Sequence, residues 1–255
     1  MHISQIPRYP VTIDGETTHI GTASELAIAL DVLNGQCDRL VLEQLRPHLA
    51  EIVGGPLGFT NVMRALETEN QIFLIDAIGG KLADVLQQSR YLRDLLATLA
   101  EHRVEQKLID TLGAEGLRAI IITPQELARV LEWIYGANDQ HLMDLLGADY
   151  LRRIIRNGDE LARVLNGLDE SGQANLIDKI GWARVVELVD NGHDLAYLMR
   201  ALPASLGVQL FDHYSREQLV DLIGNKIDWA YLYDRLEPAE VKTLLDKLGE
   251  KPNAA

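Results

Sequence analysis

The sequence predicts an all-α protein, an α-solenoid of 34-residue repeats with two or three helices each and a small N-terminal cap carrying a β-hairpin signal. Three observations predict it. The motif Leu-apolar-Asp recurs at Leu74-Ile75-Asp76, Leu108-Ile109-Asp110, Leu142-Met143-Asp144, Leu176-Ile177-Asp178, Leu210-Phe211-Asp212 and Leu244-Leu245-Asp246, each step 34 residues without a slip. Strict self-similarity at such a period marks stacked supersecondary units. The apolar columns downstream keep the same phase, and the composition is 47% apolar but only 5% aromatic, a mix that suits helix-on-helix packing better than a β-sandwich.

Each unit divides by its punctuation. A first segment ends Leu-Ile-Asp-x-Leu-Gly, with Gly79, Gly113, Gly147, Gly181 and Gly249 in one column and Ser215 the exception. Glycine there closes a helix in a left-handed C′ position. A second segment carries Leu117 and Ile120, Leu151 and Ile154, Val185 and Leu188, Leu219 and Leu222, closing at Asn157-Gly158 or Asn191-Gly192 as left-handed positions. A third carries Leu-Ala-x-x-Leu at helical spacing. Its start is clearest at Thr123-Pro124-Gln125-Glu126, which reads as a capping box. Glu126, Glu160, Asp194 and Asp228 put an acid in every such first turn, where the macrodipole favours it.

These columns set the organisation. Residues 1–36 form an N-terminal cap segment, in which Val11 to Thr17 flank Asp14-Gly15 as a hairpin and Ser24 to Leu33 read as a helix ending at Asn34-Gly35. Residues 37–249 form the repeat domain: a degenerate first copy at 37–70, units near 71–104, 105–138, 139–172, 173–206 and 207–240, and a terminal partial copy. The unit around 79–107 fits with its last helix shifted by about one residue, and 250–255 reads as a tail. Trp229 and Tyr233 fall in columns otherwise filled by Leu and Met and read as core.

A helical period of 34 resembles the tetratricopeptide repeat in length, though that family's Trp/Leu-Gly-Tyr and Ala-Phe-Pro spacing is absent. The segment Val185-Val186-Glu187-Leu188 followed by Asn191-Gly192 is similar to transcription-activator-like effector repeats, and Asn157-Gly158 and Asn225 fall at matching places. That resemblance implies a superhelix whose Asn-containing loop contacts a DNA base. The Lys-Gln pair with which those repeats serve phosphates is replaced here by Asp159-Glu160, His193-Asp194 and Ile227-Asp228. The Leu/Gly-rich short helices also resemble flagellar-switch and magnesium-transporter superhelical domains.

Charge and motifs narrow the function. A net charge of −14 disfavours nucleic acid and anionic membrane as partners. No stretch reaches the ~18 apolar residues of a membrane span, and Met1 to Pro10 lack a signal-peptide apolar region, so cytoplasmic residence is expected. Cys37 is the one cysteine and reads as an inert small side chain. The repeated aspartates read as caps or bridges to a neighbouring repeat. The seven histidines show no ligand spacing, and no phosphate loop, nucleophile elbow or dinucleotide fingerprint is present, so no catalytic, cofactor or metal residue is assigned.

The variable positions carry the functional expectation. Beside the constant alanine runs a column of Arg129, Arg163, Tyr197 and Tyr231, residue types favoured at interface hot spots. Repeats would line them up as a stripe. Arg152, Arg153 and Arg156 form a basic cluster in an acidic chain, a grip for an acidic segment unless Asp149, Asp159 and Glu160 neutralise it. The expected function is a non-enzymatic interaction scaffold or adaptor that binds a protein or peptide and needs no cofactor. The alternatives are an enzyme with a site near the N-terminal segment, around His19 or His48, and an activator-like nucleic-acid-binding repeat protein. The open end of a solenoid also offers a surface for homodimerisation.

Overall fold

Among the described residues strand pairing occurs only near the start of the chain, and helices build the remainder. The computed structural model describes residues 6–33, 35, 37–134, 136–224 and 226–249, without the side chains of 226–228. The readings made at Asn34, at Asn225, at the Ile227 and Asp228 side chains and over 250–255 lie outside the described residues. The chain divides into two compact units, 1–121 and 122–255.

In the first unit β1 (Tyr9–Ile13) and β2 (Glu16–Ile20) pair antiparallel, Tyr9 opposite Ile20 and Ile13 opposite Glu16. Asp14 (φ 50°) and Gly15 (φ 87°) both take positive φ, the requirement of the tight hairpin turn that Asp-Gly announces. Eight helices follow: α1 (Ala23–Leu33), α2 (Asp38–Leu45), α3 (Leu49–Val53), α4 (Pro56–Arg64), α5 (Thr68–Ile78), α6 (Leu82–Leu86), α7 (Ser89–Leu96) and α8 (His102–Ile120). The outer edge of β1 is closed by one side chain. Gln44 of α2 donates its Nε2 to the Thr12 carbonyl (3.0 Å), and its Oε1 accepts the Thr12 N–H (2.9 Å). A paired edge is no template for aggregation. Helix α1 packs on α4, α5 on α8 and α6 on α8. Helix α7 buries Leu92, Leu95 and Leu96, the displaced phase that the sequence shows in this unit.

The second unit holds α9 (Pro124–Leu131), α10 (Ala137–Leu146), α11 (Ala148–Ile154), α12 (Gly158–Leu165), α13 (Glu170–Ile180), α14 (Trp182–Glu187), α15 (Gly192–Ala201), α16 (Ala204–Asp212), α17 (Arg216–Leu222), α18 (Lys226–Tyr233) and α19 (Pro238–Leu248). Each full period is three helices, for example α10, α11 and α12. Equivalent helices touch: α9, α12, α15 and α18 in succession, α10 with α13, and α16 with α19. The constant Ala128, Ala162 and Ala196 are buried along the first of these series.

The glycine that ends each first helix has positive φ in every case, from 52° at Gly79 to 84° at Gly181. Only Gly249 is a left-handed cap (ψ 21°). The others combine positive φ with an extended ψ, as at Gly147 (77°, 153°), and turn directly into the next helix. Ser215 cannot do this cheaply. Helix α16 stops at Asp212, and Ser215 becomes an extended N-cap whose hydroxyl accepts the Gln218 N–H at 3.1 Å. Thr123 and Glu126 form the expected capping box.

Besides the glycine column, where only Gly249 takes the expected left-handed cap, two further sequence readings are corrected. Asn157 and Asn191 are not left-handed terminators. Both are extended (φ −150° and −159°) and serve as N-caps, accepting the N–H groups of Glu160 and of His193 and Asp194. The carboxamide satisfies orphan donors that a left-handed residue would leave open. Tyr233 is not core. It is 53% exposed and lies against the half-buried Trp229, since among the described residues α18 packs on one equivalent helix, α15.

Helix ends are tied between periods. Lys107 pairs with Asp76 (2.5 Å), Lys179 with Asp144, and Lys247 with Asp212 (3.8 Å). Arg152 donates to the Ile180 carbonyl (2.9 Å), Arg216 to that of Leu248 (3.0 Å), and Lys247 to that of Tyr214 (3.1 Å). Each is a last-turn carbonyl, or one just beyond it, where orphan acceptors and the negative end of the dipole favour a cation.

A polar column also runs through the interior. At the 34-residue spacing stand Gln71, Glu105, Asp139, Gln173 and Gly207. Gln71 donates to the Met63 carbonyl and Gln173 to that of Leu165, both eight residues back and both at 2.9 Å. Asp139 is 2% exposed, and its carboxylate accepts the Gln140 N–H. Gly207 leaves its place to a neighbour: a Cβ there would lie 1.9 Å from Oε1 of Glu240, itself 1% exposed. Burial raises the pKa of Asp38, Asp139 and Glu240, and the nearby Glu67, Asp169 and Glu237 carboxylates push the same way. One backbone N–H opposes at each, from Gly35, Gln140 and Glu237.

An acid whose folded pKa is raised stabilises the fold fully below its unfolded pKa, and loses that contribution as pH rises through the folded value. Glu25 and Glu217 shift downward, each chiefly through a backbone N–H, but both reach solvent and contribute little. Thermal stability is therefore expected to rise as pH falls from 8 toward the ordinary carboxylate range. At pH 8, Asp139→Asn and Glu240→Gln should each raise Tm by roughly 2–4 °C, the response of a chain this size to about 1 kcal/mol. Calorimetry across that range checks both; a Tm that falls on acidification, or variants that melt lower, would contradict the assignment. Gly207→Ala should lower Tm, and combining it with Glu240→Ala should restore part of the loss, since the two side chains contend for one space.

Candidate functional site

The expected stripe lies on the second unit, one residue on each of four successive helices: Arg129 on α9, Arg163 on α12, Tyr197 on α15 and Tyr231 on α18. Arg129, Arg163 and Tyr197 each lie between two buried positions, so helical geometry turns them outward, whereas Tyr231 lies between exposed Ala230 and buried Leu232. Arg129, Arg163 and Tyr197 are exposed and Tyr231 is half-buried.

The two tyrosines are joined through a residue that the column reading missed. His193 stacks on the Tyr231 ring (centroids 4.5 Å, 25°) and meets Tyr197 edge-on (4.7 Å, 79°), with the tyrosines themselves 6.2 Å apart. Arg235 lies over the Tyr231 ring, its guanidinium 3.5 Å from the centroid and donating to the Tyr231 carbonyl at 3.0 Å. A hydrogen bond with Tyr197 raises the Tyr231 pKa most, burial adds to it, and the charges of Arg235 and Arg200 pull it back. Tyr231 is therefore neutral at physiological pH. His193 is four residues before Tyr197, Arg200 three after it, and Arg235 four after Tyr231. That i, i+3/i+4 spacing is the signal by which the sequence could have revealed all three.

The arginine end is more polar. Arg163 is paired with Asp159 at 2.9 Å, an i, i+4 contact between half-exposed side chains. Such a pair contributes only about 0.3–0.5 kcal/mol.

The basic cluster does not converge. Arg152 turns to the C-terminus of α13 and lies 3.8 Å from Asp149. Arg153 sits over the Tyr150 ring (4.7 Å). Arg156 is exposed, and its backbone N–H is accepted by Glu160 at 2.8 Å. Glu160 and Asp159 thus serve a helix start and Arg163, and only Asp149 faces the cluster.

Near the N-terminal segment, Tyr9 stacks on His48 (3.7 Å, 12°) and donates its hydroxyl to Glu51 at 2.7 Å. That bond, with burial and the Glu51 charge, raises the Tyr9 pKa and keeps the phenol protonated. His19 lies exposed on β2. Two clefts, of about 290 Å³ and 450 Å³, occupy equivalent repeat positions: Ile134, Asp139 and Asp169 in one, Leu66, Gln71 and Glu101 in the other. Neither is lined by His19 or His48. Among the described residues no three His, Cys, Asp or Glu side chains gather as metal ligands, and no helix is long and apolar enough to cross a membrane. Cys37 is a half-buried free thiol at the start of α2.

No protein-family model matches the chain, and no curated protein matches it in sequence.

The different surroundings of the arginines separate under mutation. Arg152→Gln should destabilise the protein by about 1–2 kcal/mol, since two carbonyls at the end of α13 lose a charged donor. Arg156→Gln should change stability by less than about 0.5 kcal/mol, as exposed substitutions do. Urea unfolding of the two variants checks this; equal losses would contradict it.

Proposed function

We propose that residues 37–249 stack as an α-solenoid capped by residues 1–36, and that the protein is a non-enzymatic scaffold binding a protein or peptide across the stripe Arg129, Arg163, Tyr197 and Tyr231. The observation that carries this reading is the solvent-facing aromatic group of His193, Tyr197 and Tyr231 with Arg235 stacked on it. Tyr and Arg are the residues enriched where truncation costs most affinity. Rings held by one another arrive pre-ordered and lose little rotamer freedom on binding. The contacts of α9, α12, α15 and α18 in series support stacking, and repeats that touch only their neighbours present such a face as a ready surface. Arg152 and Arg153, engaged with the end of α13 and with the Tyr150 ring, and Arg156, which does not converge with them, contribute less in this reading. So strong a negative charge suits a cytoplasmic adaptor that avoids nonspecific polyanion binding.

The triple variant Arg163→Ala, Tyr197→Ala, Tyr231→Ala should lose its partner at least ~30-fold, the scale of removing one or two hot-spot residues. Its helical circular dichroism should be unchanged. Quantitative pull-down from nuclease-treated native lysate checks both, and full retention of the partner would end the stripe reading.

A further inference from the structure

The N-terminal hairpin has two edges, and they are finished differently. Along a strand of an antiparallel pair, the N–H and C=O of successive residues turn alternately toward the partner and away from it. Gln44 takes both backbone groups of Thr12, so Thr12 faces outward, and Pro10, two residues away, meets the same edge without an N–H. Thr17 and His19 stand opposite Thr12 and Pro10. Their N–H and C=O groups therefore turn to the far side of β2. The Thr12 and Thr17 hydroxyls meet at 2.9 Å, the close approach of a pair that exchanges no ladder bonds. On the far side, among the described residues, the His19 carbonyl accepts from the Arg8 guanidinium at 3.0 Å. The Thr17 N–H, the Thr17 carbonyl and the His19 N–H have no partner among those residues. Residues 16–19 are all exposed.

Open strand edges are ordinarily blunted by proline, lysine or a covering group. The outer edge of β1 has both a proline and a cover. The outer edge of β2 has neither, and its run Glu16-Thr17-Thr18-His19 includes two β-branched residues that favour extended pairing.

We infer that β2 is the contact between two copies of this chain, paired antiparallel about a two-fold axis at Thr18 to give a four-stranded sheet. The placement of the open groups selects this occupant. They lie on Thr17 and His19, symmetric about Thr18, so the axis sets Thr17 of each copy opposite His19 of the other. Four main-chain hydrogen bonds then close. Each Thr17 N–H donates to a His19 carbonyl, which also keeps Arg8, and each His19 N–H donates to a Thr17 carbonyl. A two-fold contact requires this self-complementarity. Charge permits it, because Glu16 falls opposite Ile20 of the other copy and not opposite a second Glu16. On the axis Thr18 meets Thr18, a favourable cross-strand pair. So small a contact between acidic chains makes a weak dimer, strengthened by concentration and by salt. It involves no residue of the stripe and stands or falls apart from the scaffold reading.

The test is sedimentation velocity of the full chain at concentrations up to ~500 µM, the range in which small interfaces associate. The wild type should dimerise. Thr18→Lys and Thr18→Glu each put like charges on the axis and should each weaken association at least ~10-fold, while an equimolar mixture of the two should restore it. Neither should move Tm, since the position is exposed. In a Cys37→Ser background, Thr18→Cys should oxidise to a disulfide dimer at least ~10-fold faster than Thr12→Cys on the closed edge. Residues opposite one another without ladder bonds lie ~4.5 Å apart, within disulfide reach. A mixture that associates no better than either variant alone, or equal crosslinking at 12 and 18, would overturn the inference. Dimerisation only after removal of residues 1–5 would give the edge to the start of the same chain. A chain monomeric throughout would leave the edge to an extended segment of another protein. Either result also overturns the inference.

Discussion

The constraint on which this architecture depends is the supply of hydrogen-bond partners for helix ends. Apart from α8, none of the helices exceeds 11 residues, and several have five to eight. A helix leaves four N–H and four C=O groups without internal partners whatever its length. A short one is therefore mostly ends, and it is marginal without tertiary support. In the second unit some of these end groups are met by particular side chains: Thr123, Asn157, Asn191 and Ser215 at starts, and Arg152, Arg216 and Lys247 at finishes. Most finishing groups come from an adjacent period, so capping and inter-period packing are one event.

The polar interior column follows from the same constraint. Where Gln71 and Gln173 stand, an amide gives a second donor to the Met63 and Leu165 carbonyls at the end of the preceding helix, beside the N–H groups of Leu66 and Leu168. An ionised carboxylate cannot donate, yet Asp139 occupies the equivalent place, and Glu240 fills the space that Gly207 vacates. A buried acid among acceptors favours its protonated form. One structural position therefore tolerates an amide, a carboxyl or a glycine, provided that the adjoining period complements it. Gly172 and Gly207 do so by lacking a Cβ that would meet Asp139 at 2.8 Å and Glu240 at 1.9 Å.

The helical class, the period, the hairpin turn and the displaced phase near 79–107 were legible because each rests on local chemistry: apolar periodicity, Asp-Gly, or a glycine that must take positive φ. The asparagines were misread because Asn-Gly satisfies two different needs, and choosing between them requires knowing where the next helix begins. Tyr233 was misread because column membership assumes a neighbour on both sides. His193, Arg200 and Arg235 were missed for the opposite reason. Reading down columns hides relations along a helix, and all three lie one turn from a stripe residue.

The division between constant and variable positions is itself informative about function. Positions that satisfy helix ends or fill the core are fixed in kind by physics, so their regularity says nothing about a partner. The stripe is held by neither demand: Arg129, Arg163 and Tyr197 are exposed, and the column changes from arginine to tyrosine along the chain. A column kept only for solvation would not need its tyrosines. Water accepts Lys or Glu at such places more readily than a phenol ring, and here two phenols meet an imidazole and a guanidinium in one stacked group. Ordering these side chains on a solvated face costs rotamer entropy. In the scaffold proposed above, a partner that buried the same rings would receive them already arranged, and the cost in the free protein would become affinity.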